Sequence, residues 1–412
     1  MPTQLADLDL PTLDVLGLPR QEAQVVIAEL AKEHWIAKSE LGYTVLRYDE
    51  GVSLLRERRF FNGVRLLREL NGISDDDEAV GPVRRESILS MEGEGHTRLR
   101  RLVAPAFTPA ATAAHRPKMR EVVQRLLKPH LASSSLELVA AICEPYPIPI
   151  ICGVLGAKEQ DWELFSAWAT DIFKIFNQNL AEDLPAITAA GEALSAYIAD
   201  LVAERRLSPR EDLLSALIAA EENGDRLSTD ELCMLAEAVL MAGTDTTRNQ
   251  LGCTMALFAE NPDQWALLRR QPELAPKAVE ESMRYLGAVR GTLRYASEEL
   301  TFNDVVFPEG AIVSVSLAGA NRDPEIFQAP DDFNLLAERQ SAHLTFGSGI
   351  HHCLGAALAR AELQEALTVL AEEFETVSLA GTVEWKPPTF GIWGPSSLPL
   401  AFTRPASGGV IS

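Results

Sequence analysis

Apolar residues recur at intervals of three and four along most of this chain, so helix is the dominant expectation. QEAQVVIAELAKEHW (21–35) carries its apolar residues on one stripe. The same spacing predicts helices over 49–58, 94–106, 116–131, 140–155, 159–178 and 185–206. A longer run follows, capped by Ser228 or Thr229 and stopped by Pro262. Its length of about 33 residues corresponds to roughly 50 Å at 1.5 Å per residue. A helix this long and this apolar is expected to run through the middle of the molecule. Shorter helices over 263–271 and 274–286 and a last one over 354–375 complete the set.

Strands are few and short. YTVLRY (43–48), TLRYA (292–296), LTF (300–302) and AIVSVSL (311–317) read as strands, and the tail 376–403 as strands and turns. Residues 59–93 mix charges and glycines without a steady period and read as a long loop, a feature that is often functional. No repeat, low-complexity segment or linker interrupts the chain. The expected architecture is a single domain over 1–412, mainly α with small β-sheets, in which a large helical body carries a smaller strand-rich part.

Composition narrows the function classes. The chain holds 59 acidic and 37 basic residues, a net charge of −22, which gives no basic footprint for nucleic acid. Its opening, MPTQLADLDLPTLD, lacks the basic start and apolar stretch of a signal peptide. The most apolar stretch, VAAICEPYPIPIICGVLG (139–156), contains Glu144 and three prolines and suits a buried element better than a membrane span. A soluble, cytoplasmic protein is expected. The cysteines number five, with no CxxC, so neither a disulfide framework nor a zinc ribbon is supported. Cys143, Cys152, Cys233 and Cys253 lie in apolar helical patterns and read as small core residues.

Cys353 differs. In FGSGIHHCLGAALARAEL (346–363) it sits where a glycine-rich loop turns into a helix. Unpaired amides and the positive end of the helix dipole gather there and favour a thiolate. Gly347, Gly349 and Gly355 clear side chains from around the sulfur, leaving room for a flat, bulky group. A cysteine thiolate is one of the few axial ligands proteins offer haem iron. The plain alternative is a buried cysteine in a helix cap.

Three further motifs carry candidate chemistry. In GHTRLRRLVAPAFT (95–108), His96 and Arg100 lie four apart and share one helical face, which suits carboxylates or a solvated basic surface. In KAVEESMRYL (277–286), Glu281 and Arg284 lie three apart, either as a surface pair or as a buried bidentate lock. AGTDTT (242–247) places a glycine and threonines inside the long helix, where they weaken it and suggest a local distortion. Asp245 and Thr246 would then put a carboxylate and a hydroxyl where the helix opens, a pair able to relay protons. A packing quirk is the alternative.

Together, and in this order along nearly the whole chain, these motifs resemble the cytochrome P450 family, specifically its soluble bacterial members. ANRDPEIF (320–327) adds the stretch that leads into the family's meander. The resemblance implies the P450 fold, with the long central helix over the haem, and haem b (iron protoporphyrin IX) as cofactor. It implies Cys353 as the axial ligand of the iron, with Phe346 packed near the sulfur. His96, Arg100, Arg294 and His351 would bind the haem propionates, Glu281 and Arg284 would lock the fold, and Asp245 and Thr246 would deliver the protons that cleave the O–O bond. In PDDFN (330–334) the family's usual arginine is replaced by Asp332, so the third partner of the Glu–Arg pair is absent or comes from elsewhere, for instance Arg322.

The implied activity is hydroxylation of a hydrophobic small molecule with O2 and two electrons. The chain has no flavin or iron–sulfur signature, so a ferredoxin and an NAD(P)H-dependent ferredoxin reductase are the expected partners, with Arg98, Arg101 and Arg360 as a candidate docking patch. The pocket is expected to include Leu89, Phe173, Phe176, Ala238, Ala242, Val289, Leu293 and Trp393, with Arg290 facing an anionic substrate group or else binding a propionate or backbone carbonyls. A haem protein that senses or stores a small molecule without turnover, and a helical binding protein with no cofactor, are the competing readings.

Overall fold

The computed structural model describes residues 2–15, 17–66, 87–176, 180–222, 227–387 and 392–405. Its helical body is built around two helices in line, Thr229–Ala242 and Asp245–Glu260. The second is buried at every position from Leu251 to Phe258, which makes it the centre of the core. Against it packs Ala356–Glu373, whose buried Leu363, Ala366, Leu367 and Leu370 repeat at helical spacing. The helices Pro109–Leu127, Pro147–Leu155 and Leu180–Leu207 contribute to the same core through Val122, Ile151 and Ile198.

The strand-rich part is a five-stranded sheet in the order Ile36–Ser39, Gly42–Val45, Ile312–Ser316, Gly291–Ala296, Phe60–Asn62. Gly42–Val45 and Ile312–Ser316 pair in parallel, and the other neighbours are antiparallel. Val313 and Val315 alternate into a second core with Val45, Phe60 and Phe307. Glu182–Leu207 is, among the described residues, the one helix long and apolar enough to cross a membrane. Its fully buried Arg205 binds Asp212 at 2.7 Å, which ties it into the body.

Several sequence expectations are corrected. The 33-residue helix is two helices, because the backbone breaks at Gly243 and Thr244. The helix expected from 140 starts as a single π turn, Val139–Cys143, and resumes at Pro147, since the intervening Pro145 cannot donate to the ladder. The helix expected to start at 116 starts at Pro109, because Thr108 accepts the amide of Ala111 and caps it there. The helix expected over 159–178 ends at Ile172. A helix, Leu213–Glu222, and short strands at Ile36–Ser39, Phe60–Asn62 and Val305–Phe307 went unread. The long loop at 59–93 thus contains a strand and the start of the helix Gly93–Val103, and its residues 67–86 lie outside the described set.

Candidate active site

The cysteine loop is held by its own backbone. The amide of Cys353 donates to the carbonyl of Phe346 at 2.9 Å, and that of Gly347 to Leu344 at 2.7 Å. Gly347 and Gly349 adopt positive φ of 70° and 72°. At Gly349 a Cβ would also stand 2.2 Å from the carbonyl oxygen of Leu55, so glycine is required twice over. Gly355 caps the helix Ala356–Glu373, two residues after the cysteine. Burial pushes the Cys353 thiol up, while the Gly355 amide and the Arg100 and Arg360 guanidiniums pull it back. Arg360 stacks over Phe346 at 4.4 Å and is fixed by Glu280 at 2.6 Å.

Cys353 lines a cavity together with His96, Arg100, Arg294 and His351. The helix Gly93–Val103 brings the first two to it, the strand Gly291–Ala296 the third and the cysteine loop the fourth. The His96 and His351 rings lie 4.4 Å apart, and His351 Nε2 meets Glu92 Oε1 at 2.9 Å. Burial, with His351 and Arg100 beside it, lowers the His96 pKa to about 4, so His96 is a neutral donor and not a cation. Burial likewise lowers Arg294 to about 10, against the attraction of Glu92.

Opposite the cysteine the central helix opens. Gly243 has φ −80° and ψ −7° and Thr244 has φ −99° and ψ −68°, and the helix restarts at Asp245. A Cβ at Gly243 would lie 2.6 Å from Ile151 Cγ1, so the helix Pro147–Leu155 requires glycine there. Ala242, Gly243 and Thr246 face the cysteine's cavity, and the Thr246 hydroxyl donates to the Ala242 carbonyl at 3.1 Å. Asp245 faces the other way, into a separate cavity of about 280 Å³ that it shares with Arg248 and Lys386. There it is ion-paired to Arg248 and lies 3.7 Å from Lys386 Nζ. The expected acid–alcohol pair therefore straddles the helix instead of sharing a cavity.

Sequence reading missed the next residue's partner. Thr247 donates to Glu362 Oε2 at 3.1 Å, and the other oxygen of that buried carboxyl has no partner. Burial raises the Glu362 pKa to about 8. The available signal was a glutamate among the apolar positions Leu358, Ala361, Leu363 and Ala366 of its helix.

Below the cysteine loop Glu281 and Arg284 form a buried bidentate pair at 2.9 Å. The remaining Arg284 donors go to the carbonyls of Asn321, Pro330 and Asp332. The third partner is Arg339, which donates to Glu281 at 3.1 and 2.8 Å. Arg322 does not take that place, because it binds Asp331 and the Tyr285 carbonyl. Asp332 contributes only its backbone oxygen.

A family model described as cytochrome P450 matches residues 154–398. The chain belongs to the cytochrome P450 family. This P450 is 34% identical over 401 residues to luteothin monooxygenase of Streptomyces thioluteus, covering 96% of each chain. It is 38% identical over 348 residues to nocardicin C N-oxygenase of Nocardia uniformis subsp. tsuyamanensis, covering 84% of this chain and 85% of that one. Among solved structures it resembles P450BioI in complex with an acyl carrier protein bearing hexadec-9Z-enoic acid, with TM-score 0.86 and 29% identity, covering 93% of this chain and 99% of that one. It is a haem-thiolate monooxygenase with haem b as cofactor.

The residues of this P450 fit that group. Arg100 and Arg294 both line the cavity, and neither donates to a carboxylate among the described residues. A buried guanidinium and a half-buried one, neither donating to an anion among the described residues, are what two propionates would neutralise. The rest of the predicted pocket divides three ways. Leu89, Ala238, Ala242 and Val289 line the cysteine's cavity. Arg290, Leu293 and Trp393 line an adjoining one, and Phe173 lines that of Asp245. The side chain of Phe176 lies outside the described residues. Arg290 therefore takes neither a propionate position nor, among the described residues, a backbone carbonyl.

Proposed function

We propose that this P450 hydroxylates an apolar small molecule in the cytoplasm, using O2 and two electrons from a ferredoxin reduced by an NAD(P)H-dependent reductase. The observation that carries the reading is the helix break that sets Thr246 in one cavity with Cys353. The names of the relatives, which act on luteothin and nocardicin C, support a natural-product substrate.

Haem b, when bound, supplies dioxygen activation and C–H oxidation. The chain does the rest. Cys353 would hold the iron through its sulfur, and Arg100, Arg294, His96 and His351 would hold the propionates. Leu89, Ala238, Ala242 and Val289 exclude water and orient an apolar substrate. The Thr246 hydroxyl holds the proton needed at the active centre. Asp245 collects protons from its own cavity, with Arg248 and Lys386 steadying its carboxylate. For docking of the electron donor, Arg98 and Arg360 are tied to Glu231 and Glu280, which leaves Arg101 as the free cation of that patch among the described residues.

The test has two parts. Reduced protein exposed to carbon monoxide should give the red-shifted Soret band of a thiolate ligand, lost in Cys353→Ser. Thr246→Ala should keep that band yet divert most NAD(P)H consumption from product to peroxide or water. Unchanged coupling in Thr246→Ala would overturn the assigned proton role.

A further inference from the structure

Beside the cysteine's cavity lies another of about 760 Å³, between the N-terminal segment, the five-stranded sheet and the side chains of Trp385 and Trp393. Thr292 lines both, so the start of the strand Gly291–Ala296 borders each chamber. In the outer chamber four side chains stack. Trp385 and Trp393 lie parallel, 4.5 Å apart and within 4°. Arg20 covers the outer face of Trp385 at 5.1 Å, and Arg290 that of Trp393 at 5.2 Å.

The stack is fixed before any ligand arrives. Trp393 donates its amide to Ala288 at 2.8 Å and its indole N–H to the Lys386 carbonyl at 2.9 Å. The Arg290 carbonyl accepts the amide of Ala318 at 3.1 Å. With one face on an indole, a guanidinium keeps its in-plane N–H edge open, and that edge matches a carboxylate.

The cations of this chamber are not equivalent. Arg20 has Glu260 at 3.4 Å and Lys386 has Asp245 at 3.7 Å. The Arg290 guanidinium has no ion pair or hydrogen bond among the described residues. The acids that line the chamber, Asp14 and Glu40, are both exposed. In a chain with 59 acidic residues against 37 basic ones, a half-buried arginine without an acid is unusual.

We propose that Arg290, stacked on Trp393, is the seat for the terminal carboxylate of an elongated, otherwise apolar substrate. The carboxylate occupies the outer chamber. The apolar remainder passes Thr292 and Val289 toward Ala238 and Ala242, where oxidation takes place. This deepens the monooxygenase reading and rests on it.

The experiment is calorimetric titration of the haem-loaded protein with dodecanoate and with dodecanamide, at mildly alkaline pH where the acid is ionised. The acid should bind at least about tenfold more tightly than the amide, a difference within reach of one charge-assisted contact. Arg290→Gln should erase that preference and leave amide affinity within about twofold, because the amide makes no charge-dependent contact. Arg290→Lys, which keeps the charge but not the fork, should retain only part of it. Equal binding of acid and amide by the unaltered protein overturns the proposal, and so does a preference that survives Arg290→Gln. The carbon monoxide spectrum of each preparation reports the haem-thiolate site separately. An acid preference without that band would sink the monooxygenase reading and leave the seat standing.

Discussion

The Glu281–Arg284–Arg339 network and the break at Gly243–Thr244 lie in one helical body and treat their polar groups in opposite ways. Every N–H of Arg284 has an acceptor, and both oxygens of Glu281 accept twice or more. At the break, one oxygen of Glu362 is unpartnered, and Asp245 is held in its own cavity by cations rather than by a complete hydrogen-bond set. A saturated network fixes the irregular chain beneath the cysteine. An unsaturated one leaves groups able to exchange protons. The lock and the proposed relay thus differ in how far their hydrogen bonds are filled.

The largest effect that would break this contrast is on the lock. Arg284→Ala removes two donors from Glu281, whose charge keeps Arg339 as a partner, and strands three carbonyls, and each buried group left unsatisfied costs about 1–3 kcal/mol. Urea unfolding should show that loss, with poor retention of haem. A cost near zero would mean that the network is not structural.

The second effect tests the relay side through pH. Glu362 has its folded pKa raised to about 8. The folded state therefore holds a proton that the unfolded state has already released between its ordinary value and about 8. Stability should fall as pH rises through that window, by at most about 1.4 kcal/mol per pH unit. Glu362→Gln should flatten the profile, and parallel profiles would show that the carboxyl is charged in the fold. The smallest effect is the sharpest discriminator. Asp332→Ala should change stability by less than about 0.5 kcal/mol, since its side chain has no place in the lock. Arg339→Ala should cost clearly more, and the reverse ranking would return the third partner to position 332.

Much of this was legible in the sequence, for local reasons. The cysteine loop announces itself because glycine, the sulfur and a helix start lie within a few residues. The long helix was legible from its period and its distortion from AGTDTT, yet not the opposed directions of Asp245 and Thr246, which depend on the dihedral angles at the break. Arg339 was illegible because it reaches Glu281 across 58 residues of irregular chain. The helix Leu213–Glu222 was missed although Asp212 caps it, accepting the Ser215 amide at 2.8 Å. Arg290 reads as facing either a substrate anion or a propionate or backbone carbonyls, and its stack on Trp393 is a contact that sequence spacing does not reveal.

The pairing of Glu92 with His351 joins residues 259 positions apart. During synthesis, the helix that bears His96 and Arg100 leaves the ribosome long before the loop that bears Cys353. The growing chain therefore displays two unsatisfied donors on a nascent helix until that loop has been made, and only then can the cofactor seat close. Capture of the haem thus waits for both segments, and a product terminated between them would carry half a binding site and no Cys353.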